Sequence, residues 1–128
     1  MKDTSISRSD AERIILEACA YYSAQAILVF GTLVHDVGIA FDVRGRMGGW
    51  ACSKDCKVRL NLGLLAYEGE EACKQTAGHE LAHFVTHRKF GRGAHPHGAE
   101  WKAVMLAFGL PPKRCHSYDV RAASEYEG

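Results

Sequence analysis

Residues 70–88 read E-E-A-C-K-Q-T-A-G-H-E-L-A-H-F-V-T-H-R. No proline interrupts this stretch, and Gly91 and Gly93 follow it closely. Because proline breaks helices and glycine commonly follows their last turn, we predict one long helix from Glu70 to Arg88. This helix opens the part of the chain, positions 79 to 116, that contains six of the seven histidines.

The most specific pattern in the helix is H-E-L-A-H at residues 79–83. A step of four residues puts His79 and His83 one turn apart on one helix face, with their β-carbons ~5–6 Å apart. Two imidazoles placed in this way can bind one metal ion. Glu80 is rotated by about 100° from His79, so it can reach a water on that metal without being a ligand. The pattern therefore predicts two zinc ligands and a general base, as in zinc metallopeptidases.

A catalytic zinc usually has three protein ligands and one open position, so a further donor is needed. Residues 95–101, H-P-H-G-A-E-W, offer three candidates: His95, His97 and Glu100. We favour His97, because it lies at the start of a third predicted helix, Gly98 to Phe108, whereas His95 lies in the preceding loop. Glu100 is the main alternative, one helical turn beyond His97 on the same face.

The remaining elements come from apolar periodicity and turn signals. Ser9 and Glu12 have the spacing of a capping box, and they predict a first helix from Asp10 to about Phe30. Residues 37–43 and 50–60 have the pattern of strands, joined by a glycine-rich turn. Together these elements predict an α+β fold in which about three helices pack on a small antiparallel sheet.

Length and composition predict one globular domain. The chain has 128 residues, of which 47% are hydrophobic and 24% are charged, and its formal net charge is +1. These values exclude a disordered or fibrous chain and indicate a single domain, residues 1–128. We expect residues 1–9 and 122–128 to be frayed at its two ends.

The cysteines and the N-terminal residues give information about the cellular compartment of the protein. Five cysteines without a tight spacing favour free thiols in a reducing environment, and we predict no disulfide. The first ten residues have no apolar run typical of a secretion signal. Polar residues interrupt the uncharged stretch 18–35, so we interpret it as a buried helix and not as a membrane span. The sequence thus predicts a cytoplasmic protein that does not contact a membrane.

Several motifs together resemble those of the SprT-like (Spartan-like) zinc metalloproteases. The stronger matches are H-E-L-A-H at 79–83, F-G-R at 90–92, H-G-A-E-W at 97–101 and V-R-L-N-L-G-L-L at 58–65. The weaker matches are Phe30-Gly31 with Leu33, Gly48-Gly49-Trp50, and P-P-K-R-C-H-S-Y at 111–118. The resemblance extends from about residue 10 to residue 118.

The resemblance implies a zincin-like fold with one Zn²⁺ bound by His79, His83 and His97. It makes Glu80 the general base and Glu100 a supporting residue at the start of a helix. Members of the family are associated with cutting proteins that are crosslinked to DNA, so protein substrates held on DNA are implied. Bacterial relatives often carry a C-terminal four-cysteine zinc ribbon, which these 128 residues do not contain.

Further residues are candidates for supporting roles. His116 and Tyr118 have side chains able to stabilise an oxyanion, although a structural role is at least as plausible. Five basic residues form a candidate rim for DNA phosphates, with an ordinary solvated surface as the alternative: Arg88, Lys89, Arg92, Lys113 and Arg114. Trp50 and Trp101 are expected in the core, since one lies in a predicted strand and the other in a predicted helix.

Two alternatives concern the metal chemistry. Cys52, Cys56 and Cys115 could form a second zinc site with His116, but we favour free, buried cysteines. The alternative function is a noncatalytic zinc-binding domain that has a regulatory role or associates with nucleic acid. Glu80 argues against that alternative, because a structural zinc needs no base, whereas His95 as a fourth donor would favour it. An accessory protein built on the same core, such as an anti-restriction protein, is a third candidate.

Overall fold

The computed structural model describes residues 2–113 and residue 118. Within these residues there are four helices and three strands, so the predicted α+β class is confirmed. The helices are α1 (Arg8–Phe30), α2 (Leu62–Glu68), α3 (Glu70–Phe90) and α4 (Ala99–Ala107), and the strands are β1 (Gly38–Ala40), β2 (Gly49–Cys52) and β3 (Lys57–Leu60). The predicted fraying of residues 122–128 falls outside the described part of the chain.

The sheet is mixed, and the expectation of a purely antiparallel sheet was wrong. Its strand order is β1-β3-β2. A turn at residues 53–56 divides the predicted 50–60 strand, so β2 and β3 pair antiparallel as a hairpin. The loop between β1 and β2 also reverses the chain, so β1 and β3 run in the same direction and pair in parallel. As a result, β3 is central and β2 is an edge strand.

Helix α1 begins two residues earlier than predicted. The side chain of Ser7, not of Ser9, caps it by accepting a hydrogen bond from the Asp10 backbone N–H at 3.0 Å. Ser7 has the extended backbone expected of a cap, whereas Ser9 already lies in the first helical turn. The helix ends where predicted, because Gly31 adopts a left-handed conformation (φ 64°) that costs glycine little.

The N-terminal segment is attached to α2, so the predicted fraying of residues 1–9 was wrong for its described part. The Ile6 backbone N–H donates to the Ala66 carbonyl at 2.9 Å. The Ser5 hydroxyl donates to the Tyr67 carbonyl at 2.5 Å. These long-range bonds hold the chain in place ahead of α1.

Helix α3 packs against the other three helices and against strands β2 and β3. Its close approach to α1 depends on Gly78, where an added β-carbon would clash with the Leu110 side chain and lie 3.1 Å from the Tyr22 ring. Gly78 immediately precedes His79. Tight packing of the core therefore fixes the helix at the position where the H-E-L-A-H motif begins.

Helix α1 buries one face in the core and exposes several large apolar residues: Leu16, Tyr21, Ile27, Leu28 and Val29. It is the one helix of the described chain that is long and apolar enough to cross a membrane, with 33% of its most apolar window buried. Its buried face joins the core through Ala11, Ile14, Ile15, Ala18, Cys19, Tyr22 and Ala26. Core helices of soluble proteins also meet this criterion, so length and composition here are weak evidence for a membrane span.

Candidate metal centre

The structure brings three histidines together, which we call the histidine cluster: His79, His83 and His97. One potential ligand atom from each lies within 4.8 Å of the others. Their ring centroids are 4.9 to 5.2 Å apart. The first two project from one turn of α3, and His97 precedes Gly98, the residue that caps α4. Two elements distant in sequence thus place three donors around one point.

The spacing and protonation of the cluster fit a metal ion. The Nε2 atoms of His79 and His97 are 3.2 Å apart. A tetrahedral zinc with Zn–N distances of ~2.0–2.1 Å would separate two ligand nitrogens by ~3.3 Å. Burial, together with the neighbouring imidazoles, lowers the pKa of His79 to about 4 and that of His83 to about 3. Both rings are therefore neutral at pH 7, as metal ligands must be.

A backbone carbonyl orients the His79 ring. Its Nδ1 lies 3.3 Å from the Lys113 carbonyl oxygen. Because a carbonyl only accepts hydrogen bonds, we assign the proton to Nδ1, which leaves the Nε2 lone pair directed toward the cluster. A second ring nitrogen fixed in this way is the usual support for a metal-binding histidine.

Trp101 forms what we call the rear wall of the cluster. Its side chain is fully buried, as predicted. The indole centroid lies 4.8, 5.8 and 4.9 Å from the rings of His79, His83 and His97, and the indole N–H donates to the His79 carbonyl at 3.2 Å. This contact with all three imidazoles was not anticipated from the sequence. Trp101 is therefore both a core residue and the surface on which the cluster is packed.

Glu80 lies beside the cluster. One of its carboxylate oxygens is 3.7 Å from the His79 Nε2, and the residue is 8% exposed. Burial raises the pKa of Glu80 to about 8. The carboxyl group thus lies where the sequence predicts a general base, in an environment that strengthens its affinity for a proton.

The two alternative donors lie outside the cluster. Among the described residues, neither Glu100 nor His95 belongs to the group whose donor atoms converge. His95 is exposed, and its Nδ1 accepts a hydrogen bond from the His97 backbone N–H at 3.4 Å. Glu100 is half-buried in the first turn of α4, where a carboxylate interacts favourably with the helix dipole. The geometry thus favours His97 as the third donor.

A cavity of about 280 Å³ adjoins Glu80 and His83. We call it the front pocket. Its other lining residues are Trp50, Ala51, Ser53, Phe84, His87 and Pro96. The Trp50 side chain was expected in the core, but the residue is 42% exposed because β2 is an edge strand. The histidine cluster therefore has a buried wall of Trp101 and an accessible pocket bounded by Trp50.

Comparison with known proteins identifies the family. The SprT-like family profile matches residues 12–116, which is most of the chain. The chain belongs to the SprT-like family. It is 40% identical over 87 residues to Protein SprT of Pseudomonas syringae pv. tomato, covering 67% of this chain and 53% of that protein. It is 41% identical over 91 residues to Protein SprT of Pseudomonas putida, covering 69% and 56%.

This SprT-like chain spans about half the length of the curated relatives that it matches. No solved structure matches it significantly. The matched region includes the H-E-L-A-H motif and His97, so the whole histidine cluster lies within the family's shared region.

Of the two residues proposed to support an oxyanion, the structure describes one. The Tyr118 phenol is 2.9 Å from the Thr76 hydroxyl on α3, and its ring packs against the core. Thr76 lies one helical turn before His79. Tyr118 thus braces α3 in this SprT-like chain, while His116 falls outside the described residues.

The predicted basic rim is only partly available for a partner. Arg88 forms an ion pair with Asp36 at 2.6 Å and also donates to the Leu33 carbonyl at 2.8 Å. This guanidinium holds the pKa of Asp36 down at about 2. Arg88 is therefore engaged within the fold. Lys89, Arg92 and Lys113 are exposed, and Arg114 lies outside the described residues.

The described cysteines are free thiols, as predicted: Cys19, Cys52, Cys56 and Cys73. In the described chain, neither Cys52 nor Cys56 joins a group able to bind metal. The Cys56 Sγ instead lies 3.6 Å from the Arg88 guanidinium. Cys115, the third cysteine of the alternative zinc site, lies outside the described residues.

Proposed function

We propose that this SprT-like chain is a zinc-dependent peptidase of the HExxH type. The observation that carries the proposal is the convergence of three imidazoles beside one buried carboxyl group. Three nitrogen donors, in place of four, are typical of a catalytic zinc site rather than a structural one. Family membership supports the same function.

Each residue has a role in the proposed reaction. The histidine cluster would hold the ion, which when bound supplies an acidified water and polarises the substrate carbonyl. Glu80 accepts the proton of the attacking water and returns it to the leaving amine. The Lys113 carbonyl and Trp101 keep the imidazoles in place, which limits the reorganisation needed during the reaction.

We propose protein substrates that are held on or crosslinked to DNA, in the cytoplasm. The family resemblance is the first support. The second is that Lys113 is exposed and its backbone contacts His79, so a positive charge lies close to the candidate site. If phosphates bind there, affinity for DNA should fall with salt, and Lys89→Ala, Arg92→Ala and Lys113→Ala together should flatten that dependence.

Two variants test the peptidase. We expect Glu80→Gln to keep zinc and lose cleavage of a casein substrate by at least ~100-fold, because general base catalysis typically contributes 10²–10⁴-fold. We expect His83→Ala to lose both zinc and activity. The measurements are zinc content by elemental mass spectrometry and peptide release, with and without DNA. Undiminished cleavage by Glu80→Gln would overturn the assignment of the base.

The second candidate function is a noncatalytic zinc-binding module. The observation that favours it is the position of His95, whose ring contacts the backbone of His97. A module of this kind would close the fourth metal position with a protein donor. In that case His95→Ala would lower zinc affinity as strongly as His83→Ala, whereas the peptidase predicts little change.

A further inference from the structure

The front pocket is large enough for one side chain. Its volume of about 280 Å³ lies just below the range of ~300–1,000 Å³ that is typical of sites for whole small molecules. Its lining is mainly apolar, through Trp50, Ala51, Phe84 and Pro96. Since it also touches Glu80 and His83, anything bound there lies next to the proposed reacting groups.

Trp50 is a fixed wall of this pocket although it is exposed. Trp50 on β2 is paired directly with Arg59 on β3. The Arg59 guanidinium lies 5.9 Å from the centroid of the indole, within the range of a cation–π contact. Asp42 and Asp55 both form ion pairs with Arg59 and hold it in position. The indole is therefore supported from the sheet and does not depend on burial.

The residue before Trp50 packs closely against α3. A β-carbon added at Gly49 would lie 2.7 Å from the Arg59 carbonyl oxygen and 3.6 Å from the Glu80 Cγ. Only glycine fits at this distance without a shift of the strand. The edge strand and α3 therefore approach each other closely at Gly49, next to Trp50 in the chain.

We propose that the front pocket binds an apolar side chain of the substrate next to the scissile bond, and that Trp50 is a specificity-determining residue. The proposal rests on the proposed peptidase function and names its substrate preference. An acidic side chain would lose hydration against the mainly apolar lining, and no lysine or arginine is among the described lining residues to pair with it. A basic side chain would lose hydration against the same lining.

The test measures binding, so that it does not depend on turnover. The probe is the zinc-loaded Glu80→Gln chain, titrated calorimetrically with N-acetylated, C-amidated hexa-alanine peptides that carry Leu, Phe, Asp or Lys at one central position. We expect the Leu and Phe peptides to bind at least ~10-fold more tightly than the Asp and Lys peptides, the scale of discrimination in an apolar pocket.

Variants made in the Glu80→Gln chain test whether Trp50 contacts the bound side chain. Trp50→Ala should weaken the Leu peptide by ~10-fold, and Trp50→Phe should restore most of that affinity, because the pocket needs an apolar ring there. Leu106→Ala is the matched control: Leu106 is also an exposed large apolar residue, but it lies on α4 outside the pocket. Zinc content and circular dichroism establish that each variant is folded and loaded.

The outcomes separate the two proposals. Equal affinity for the four peptides, no binding at millimolar concentration, or an equal loss in Leu106→Ala would overturn the pocket assignment. If the peptidase proposal fails, the wild-type chain will cleave nothing while the apolar preference in binding persists. If only the pocket assignment fails, the wild-type chain will cleave casein at sites that show no apolar preference.

Discussion

Trp101 packs against the histidine cluster and Trp50 lines the front pocket beside it, and the two tryptophans differ in almost every physical respect. Trp101 is 0% exposed, donates its N–H to the His79 carbonyl and contacts three imidazole rings. Trp50 is 42% exposed, lies on an edge strand and is supported by the Arg59 guanidinium. Trp101 packs the site from behind, whereas Trp50 presents an apolar surface to a cavity.

This difference separates residues that position the site from those that are available to a ligand. A buried ring fixed by core packing sets where the imidazoles lie, at a cost to stability if it is removed. An exposed ring held by an ion-paired arginine can contact a bound molecule while contributing less to the fold. Substituting Trp101 should therefore mainly lower stability, whereas substituting Trp50 should mainly weaken ligand binding.

The largest expected effect is that of Trp101→Ala. Truncating a fully buried tryptophan should lower the free energy of unfolding by ~3–5 kcal/mol, because it removes buried apolar area and leaves a cavity. Trp50→Ala is the matched comparison and should cost less than ~1 kcal/mol, since surface substitutions usually have small effects. Urea denaturation of both variants measures the difference. Equal losses would contradict the distinction between the two walls.

Zinc binding to the histidine cluster should have the next largest effect on stability. A ligand that binds only the folded state at 100 times its Kd stabilises that state by ~2.7 kcal/mol. We therefore expect chelation to lower the Tm of the wild-type chain and to leave the Tm of His83→Ala unchanged. Trp50→Ala should keep the zinc-dependent shift. A shift that is lost in Trp50→Ala would place the metal elsewhere.

The smallest expected effect is a difference in cysteine reactivity. It compares Cys19 and Cys73, in the helices, with Cys56, in the turn before β3. Burial raises the pKa of Cys19 and Cys73 to about 12 each. At pH 8 only about one in 10⁴ of these thiols is a thiolate, the reactive form. Cys56 is partly exposed. Among the described cysteines, alkylation should modify Cys56 before Cys19 and Cys73, which should react only on unfolding. Peptide mass spectrometry measures the order, and early labelling of Cys19 would contradict the packing.

Much of the metal centre could be predicted from sequence because helical periodicity is local. The spacing of His79 and His83 determines that they share a face, and the intervening Glu80 follows from the same geometry. His97 was a choice among three donors, favoured by its place at a helix start and by the family resemblance. Supporting contacts such as the Lys113 carbonyl have no sequence signature, since every residue has a backbone carbonyl.

The features of the fold that were predicted wrongly from sequence also have physical reasons. Ser7 and Ser9 are both suitable cap residues, so local sequence did not decide between them. The parallel pairing of β1 with β3 depends on how the loop between β1 and β2 returns, which strand patterning does not encode. Trp50 was expected in the core because it lies in a predicted strand, but only the strand order shows that β2 is an edge strand.

The central claim is that three histidines and no fourth protein donor hold a catalytic metal. The most direct test is a crystal structure of the zinc-loaded chain, with anomalous scattering measured on both sides of the zinc absorption edge. We expect one zinc peak within bonding distance of nitrogens from His79, His83 and His97, with the remaining position open to solvent. A peak with four protein ligands, or none at the cluster, would contradict it.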